Sequence, residues 1–544
     1  MCNNHFQDKK THNKNPKDGV CNPDEHKNWN RRSFLQALGL VGGGTMMLAN
    51  TNLTVSRPSP LSVALSQAEN DKILIICRLG GGNDGFNTII PVYDYDIYAN
   101  ARPLIKIPPS EFIDLEKDQF AMPKPMNKLE RLWGDGQMKV VHGVGYEDQT
   151  LSHFRGTDIW ANTNLLEEDR TGWMGRYFQD LYPDYIFNPP ASPPSIQIGS
   201  LGNLIFKGPQ NDFSFAISDP QRLEQIIENQ TFYDIDMLPD CTYGDKLRFL
   251  RESTNVTYNY AEAISDAFNR STDFGGYLED DNFARQLRIV ARLIKGNLGT
   301  KVYMVTLGGF DTHNNQIQRH QNLLNSFSEG LSNFYADLEA SGLDDKVLTM
   351  TISEFGRRFV ENGSLGTDHG TSAPVLLFGT GLNGNGFIGE HPTLPQNPNV
   401  GFNVESTNDF RQIYATVMKE WLCVNPEVVN KALLGAEFES LNLGFSCDGS
   451  TIGPVDGDSL SHVVTYEENK EIYLTINTPQ TIHVDIILFD IIGQKVATLR
   501  NDVLTEGQHR INIREAANAR LSTGQYIYRI ETNQGDFSSP LMIS

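Results

Sequence analysis

Basic residues are in short supply in this chain of 544: 45 Lys and Arg stand against 67 Asp and Glu, a formal net charge of -22. Neutralising a phosphate backbone needs a basic surface, so no nucleic-acid partner is expected. Cysteine is sparse as well. The six, Cys2, Cys21, Cys77, Cys241, Cys423 and Cys447, form neither a CxxC pair nor a zinc-ribbon spacing, which argues against a thiolate metal cluster. No apolar run reaches the roughly 20 residues that cross a bilayer, so no stable membrane span is expected. What is present is ordinary for a globular protein: 39% hydrophobic and 21% charged residues supply a sizeable core. The length suggests two to four domains.

Near the beginning, a polar stretch over 1–29 precedes Asn30-Arg31-Arg32-Ser33-Phe34-Leu35-Gln36 and a glycine-rich, modestly apolar run to Ala49. Paired arginines before such a run resemble a twin-arginine signal, placed here at 30–68, which hands folded proteins to the twin-arginine export machinery. Export is therefore expected, to the periplasm or to the cell surface and extracellular space. Cys423 and Cys447 could pair in an oxidising compartment, and Cys77, in a very apolar strand, reads as a buried small hydrophobe.

Between 69 and 445 short apolar runs alternate with helical patterns. Lys72–Leu79, Lys139–Val144, Lys301–Leu307, Lys346–Ile352 and Pro374–Phe378 read as strands; Phe283–Ile294, Gln316–Ser341 and Asp409–Leu422 read as helices. The pattern predicts an α/β domain with a doubly wound, mainly parallel sheet. Residues 446–464 are turn-rich and read as a linker. Short alternating strands fill 465–544, predicting a small C-terminal all-β sandwich.

Four polar clusters follow strand-like sequence: Gly82-Asn83-Asp84, Phe310-Asp311-Thr312-His313, Ser353-Glu354-Phe355-Gly356-Arg357-Arg358 and Thr367-Asp368-His369. Ligands of alternating α/β chains bind beyond the carboxyl ends of the strands. Carboxylates and imidazoles gathered there are the material of a metal-assisted hydrolytic site. Singly, each has a plainer role: Asp84 as a turn aspartate, Glu354 and Asp368 as capping acids, the histidines as loop residues. Together, Asp84, Asp311, His313, Glu354, Asp368 and His369 are the expected ligands of one or two divalent ions, with zinc, manganese, calcium and magnesium not distinguished. Ser152, where a helix begins, reads as an N-cap or as a nucleophile. Arg155 or Arg357 could clamp an anionic ester, and the Arg357-Arg358 pair reads equally as a surface pair. His320 is expected to be solvated and His142 to be a satisfied core residue. Tyr303, Trp160 and Trp173 are assigned to packing.

These motifs carry a family resemblance. From about Lys72 to Gly444 the chain resembles the DUF1501 family of bacterial exported proteins, through Leu79-Gly80-Gly81-Gly82-Asn83-Asp84-Gly85, Ser152-His153-Phe154, Thr171-Gly172-Trp173-Met174-Gly175-Arg176 and the later clusters above. That family resembles the alkaline phosphatase superfamily, with its sulfatases. The resemblance implies a doubly wound sheet, one or two metal ions, a Ser, Thr or modified nucleophile and an anionic ester or glycan-derived substrate. It places Asp84 as the first metal-binding aspartate, Asp311 in a later Asp and His pair, His369 as the final histidine and Ser152 as the nucleophile. Ser353-Glu354-Phe355-Gly356 stands where Asp-His-Gly would be expected, and Phe355 cannot ligate.

The last 80 residues resemble a type IX secretion sorting domain of Bacteroidota, through Asp490–Val496 and Leu521–Tyr526, which would add the type IX secretion machinery as a partner. The usual basic residue near the end is missing. The expected function is an exported metal-dependent hydrolase of phosphate or sulfate esters, with Ser152 or a metal-bound water attacking. The alternative is a surface or periplasmic binding protein that keeps the phosphatase-like fold without turnover.

Overall fold

The computed structural model describes residues 71–445, apart from 167–168, 184, 187, 200–201, 221–222, 229–231, 236–237, 239–241, 383 and 385. Beyond these it describes 447 and 461–543, apart from 467–471, 479, 491–494, 518–520, 523 and 533–534. The expected polar leader, the export signal and most of the linker, with Cys2, Cys21 and Cys241, lie outside the described residues. The chain divides into two compact units, one ending at Phe445 and one comprising the C-terminal strands.

The first unit is built on a nine-stranded sheet. Its strands are β1 (Ile73–Gly80), β2 (Met138–Gly145), β3 (Ser195–Ile198), β4 (Ser214–Ile217), β5 (Val302–Gly308), β6 (Val347–Ile352), β7 (Ala373–Phe378), β8 (Gly386–Ile388) and β9 (Asn408–Asp409). In space they run β8-β2-β7-β6-β1-β5-β3-β4, with β9 also on β2. Among these pairings only those of β7, with β2 and β6, are antiparallel. β1 sits at the centre, parallel to both β5 and β6. Leu74, Ile75, Ile76 and Cys77 have no exposure, as expected of a run buried on both faces of a parallel sheet.

Helices α1 (His153–Asn162), α2 (Thr242–Arg270), α3 (Asn282–Lys295), α4 (Gln316–Glu339) and α5 (Phe410–Thr416) accompany the sheet. α3 shows how its ends are set. Asp281 accepts from the backbone N–H groups of Phe283 and Ala284 at 2.8 and 3.1 Å, an N-cap, and Phe283, Leu287, Val290, Ala291 and Ile294 face the core. The tryptophans pack as expected: Trp160 stacks on Phe410 and Trp173 on Tyr414. Cys77 is a buried free thiol. Cys423 and Cys447 are each disulfide-bonded.

The second unit has two antiparallel sheets. One joins β10 (Ser461–Tyr466), β11 (Ile472–Thr478) and β14 (Gly507–Asn512); the other joins β12 (Ile482–Asp490), β13 (Lys495–Leu504), β15 (Gly524–Thr532) and β16 (Gly535–Ile543). Ile472, Leu474 and Ile476 of one sheet and Val484, Ile486 and Leu488 of the other belong to a single apolar cluster. That shared core makes a sandwich. Among the described residues no helix is long and apolar enough to cross a membrane.

Candidate metal centre

Three parallel strands deliver the polar clusters to one edge of the sheet. β1 ends in Gly80, β5 in Gly308 and β6 in Ile352, and the loops beyond them are tied together. Gly80 O accepts from Gly309 and Phe310 N–H, each at 3.1 Å. Ser353 Oγ donates to Leu79 O at 2.7 Å and accepts from Asn83 N–H at 3.1 Å. The glycines are required by space: Gly81 and Gly82 have φ of 121° and 82°, and a Cβ at Gly81 would strike the backbone of Asp311, one at Gly82 the ring of Phe355. A two-residue ladder pairs Gly356 with Gly370 and Arg357 with His369, which brings the two last clusters together.

Asp311 lies at the middle of what results. His369 Nε2 is 3.3 Å and His313 Nε2 3.2 Å from its Oδ1; His153 Nε2 is 3.5 Å from its Oδ2. His153, Asp311 and His369 each offer a ligand atom within 4.8 Å of the others, a spacing that one metal ion could bridge. All three imidazoles are anchored through the other nitrogen. Nδ1 of His153 lies 3.1 Å from Glu354 Oε1, Nδ1 of His313 3.0 Å from Asp368 Oδ1, and Nδ1 of His369 2.8 Å from Leu151 O. Such outer partners fix the tautomer of a ligating histidine.

The tautomers follow from chemistry. A carbonyl oxygen only accepts, so Nδ1 of His369 carries a proton. Burial raises the Asp368 carboxyl, but hydrogen bonds from Asn362 and His313 leave it below its ordinary range, so it accepts from His313. In the neutral rings both Nε2 atoms are then lone pairs, yet they face one another at 3.0 Å beside the Asp311 carboxylate. That carboxylate is ionised. Burial would raise it, but the hydrogen bond and charge of Arg357 bring it down to about 2. Lone pairs and carboxylate oxygens converge on a point that a cation would satisfy.

The other expected residues are spread around this point. Arg357 has no side-chain exposure, and besides Asp311 Oδ1 at 2.6 Å it binds the carbonyls of Gly81, Gly82, Phe310 and Thr367. It holds the loops beneath the site rather than facing solvent. Arg155 lies in α1 with Nη2 at 3.4 and 3.5 Å from Asn164 O and Leu165 O. Asp84 is fully buried: Arg102 Nη1 lies 2.6 Å from its Oδ2, Gln316 Nε2 donates to the same oxygen, and Oδ1 caps Phe86 N–H at 3.2 Å. Burial raises this carboxyl, and Arg102 leads the contacts that bring it below its ordinary value. Ser152 is exposed at the N-cap of α1, and its side chain makes no capping hydrogen bond.

His153 was singled out only as part of a motif. Its signal was its place at the start of α1, the first helix after β2, on the connection that follows a strand's carboxyl end. Phe355, which cannot ligate, packs its ring on His153 and His369 with centroids 4.8 and 4.5 Å away, so an imidazole from α1 stands beside it. Two other histidines depart from expectation. His320 is buried rather than solvated, with Nε2 3.0 Å from Asn83 Oδ1. His142 is buried as expected, but its Nε2 has no hydrogen-bond partner among the described residues.

No curated protein matches the chain in sequence. Among solved structures it is similar to a protein of the alkaline phosphatase superfamily from Vibrio parahaemolyticus, at 10% identity and TM-score 0.28, covering 89% of this chain and 88% of that one. It is also similar to the PsFucS1 sulfatase from Pseudoalteromonas sp., at 9% identity and TM-score 0.30, covering 89% and 94%. The alkaline phosphatase of the Antarctic bacterium TAB5 matches at 8% identity and TM-score 0.27, covering 67% and 99%. Residues 240–441 match the DUF1501 family, described as a protein of unknown function.

Proposed function

We propose that this chain is an exported, metal-dependent hydrolase of phosphate or sulfate esters, working at the edge of the sheet where His153, Asp311, His313 and His369 meet. The convergence of three anchored imidazoles on one carboxylate carries the reading, because such a donor set is satisfied by a divalent ion. An ion held there supplies Lewis-acid charge for the oxygens of a phosphoryl or sulfuryl group. Glu354 and Asp368 hold the rings in place, and Arg357 fixes Asp311 from below. Ser152 precedes His153 and carries a hydroxyl that makes no capping hydrogen bond at the start of a ten-residue helix, where the helix N-terminus favours a developing negative charge.

Export rests on the Arg31-Arg32 signal and is supported by the disulfide-bonded Cys423 and Cys447, which suit an oxidising compartment. Changing both arginines to lysine is expected to hold the precursor inside the cell; normal export of that variant would remove the assignment. The C-terminal sandwich would then serve as a type IX address rather than as part of the catalyst.

A second reading, a binding protein without turnover, is favoured by one observation: Arg357, expected to clamp the ester, is spent beneath the site. Assay of the purified chain with divalent ions against aryl phosphate, phosphodiester and aryl sulfate separates the two. Hydrolysis that disappears in Ser152→Ala while ion binding persists supports the enzyme with a serine nucleophile. Turnover surviving in that variant removes Ser152 from the chemistry, and no turnover on any substrate with the ion bound favours the binding protein.

A further inference from the structure

We propose that the centre takes one ion per chain, because a fixed guanidinium withdraws Asp84 from ligation, and that this ion is of the borderline class (zinc or cobalt) rather than magnesium or calcium, because imidazoles dominate the remaining donors. This rests on the metal-dependent reading above and deepens it.

Seven acids and imidazoles at the sheet edge would be enough for two ions, but the structure divides them unevenly. Asp84 and Arg102 are both without exposure and paired at 2.6 Å. Arg102 is itself pinned, through Nε to Phe359 O at 2.7 Å and Nη2 to Arg358 O at 2.8 Å, and its Nη1 also meets Asn87 Oδ1 at 2.9 Å. Gln316, whose Oε1 accepts from Thr312 at 3.1 Å and Thr367 at 2.6 Å, gives its amide to Asp84. A carboxylate neutralised in this way has its charge met without an ion. A metal at Asp84 would have to displace a guanidinium held by two backbone carbonyls.

The remaining acids serve the rings. Glu354 Oε1 accepts from Gly81 N–H at 2.8 Å and faces His153; Asp368 Oδ1 faces His313 and accepts from Asn362 at 3.1 Å. Glu354 Oε2 is buried without a hydrogen-bond partner among the described residues. The only clustering of candidate ligand atoms found among the described residues is that of His153, Asp311 and His369. His313 lies outside that group but offers a nitrogen 3.0 Å from that of His369. Three imidazole nitrogens and one carboxylate suit a borderline cation. Magnesium and calcium seek six or more oxygens.

The test uses the full mature chain, stripped with chelator and exposed to zinc, manganese, cobalt, magnesium and calcium in equal amounts, then desalted for elemental analysis. Retention of about one zinc or cobalt ion per chain is expected, with a rise in melting temperature from that ion and none from magnesium or calcium at the same concentration. Asp84→Asn combined with Arg102→Gln, which removes the buried charges together, should leave that count unchanged, whereas Asp311→Asn should lose the ion. Two ions per chain, equal retention of magnesium or calcium, or loss of the ion in the Asp84 and Arg102 double variant would overturn the inference while leaving metal dependence intact. Retention of no ion would overturn both. One bound zinc without hydrolysis would sustain the inference and remove the hydrolase.

Discussion

Glu354 and His153 are 201 residues apart in sequence, yet Oε1 of the one stands 3.1 Å from Nδ1 of the other. The carboxylate is almost fully buried and the ring is one-third exposed, so a rigid group orients an accessible one. Outer-shell partners of this kind typically carry 10–100-fold in metal affinity. Glu354→Gln keeps the shape and removes the charge. Its zinc affinity, measured by competition with a chromophoric chelator, is expected to fall by about that factor with the fold retained. An unchanged affinity would make Glu354 a loop brace through Gly81 alone.

The Asp84 and Arg102 pair predicts a different outcome. Removing one partner of a fully buried ion pair costs about 3–5 kcal/mol, because the other charge is left uncompensated. Asp84→Ala should lower the urea midpoint accordingly. Replacing both by neutral groups should recover much of that loss.

Acid stability follows from buried histidines away from the site. Burial, with a smaller contribution from His391, lowers His142 to about 3; burial lowers His391 to about 4. With folded values below the ordinary 6.5, the stability linked to these rings is complete above pH 6.5 and is lost as pH falls through about 4 to 3. The Asp311 contribution is lost lower, between about 4 and 2. Because His142 stacks on Phe387 at 4.9 Å and its Nε2 has no hydrogen-bond partner among the described residues, His142→Phe is expected to flatten the decline in melting temperature between pH 6.5 and 4. A decline as steep as in the parent protein would place acid sensitivity elsewhere.

The legible part of this chain was the part governed by local pattern. β1 could be read from Ile73 to Leu79 because a strand buried on both faces is apolar without alternation. Asp311, Glu354 and His369 were singled out because the ligands of α/β chains collect beyond carboxyl ends, and the fold brings them to one edge of the sheet. Partners could not be read the same way. Nothing near Asp84 in sequence announces Gln316, 232 residues on, and Arg102 is one of many arginines until packing buries it. His320 sits seven residues after His313, yet the face of α4 that carries it turns inward. The antiparallel direction of β7 was hidden too, since the 20 residues between Ile352 and Ala373 build the site loops instead of a crossover helix.

The central claim is that imidazoles from α1 and from the loops after β5 and β6 share one ion with Asp311. X-ray absorption at the zinc edge of the loaded chain tests it most directly, since imidazole rings add multiple-scattering features that oxygen ligands lack. The account expects three imidazole nitrogens and one carboxylate oxygen at about 2.0–2.1 Å, with one ring lost in His153→Ala and one in His369→Ala. A shell of oxygens alone, or a spectrum unchanged by both substitutions, would contradict it.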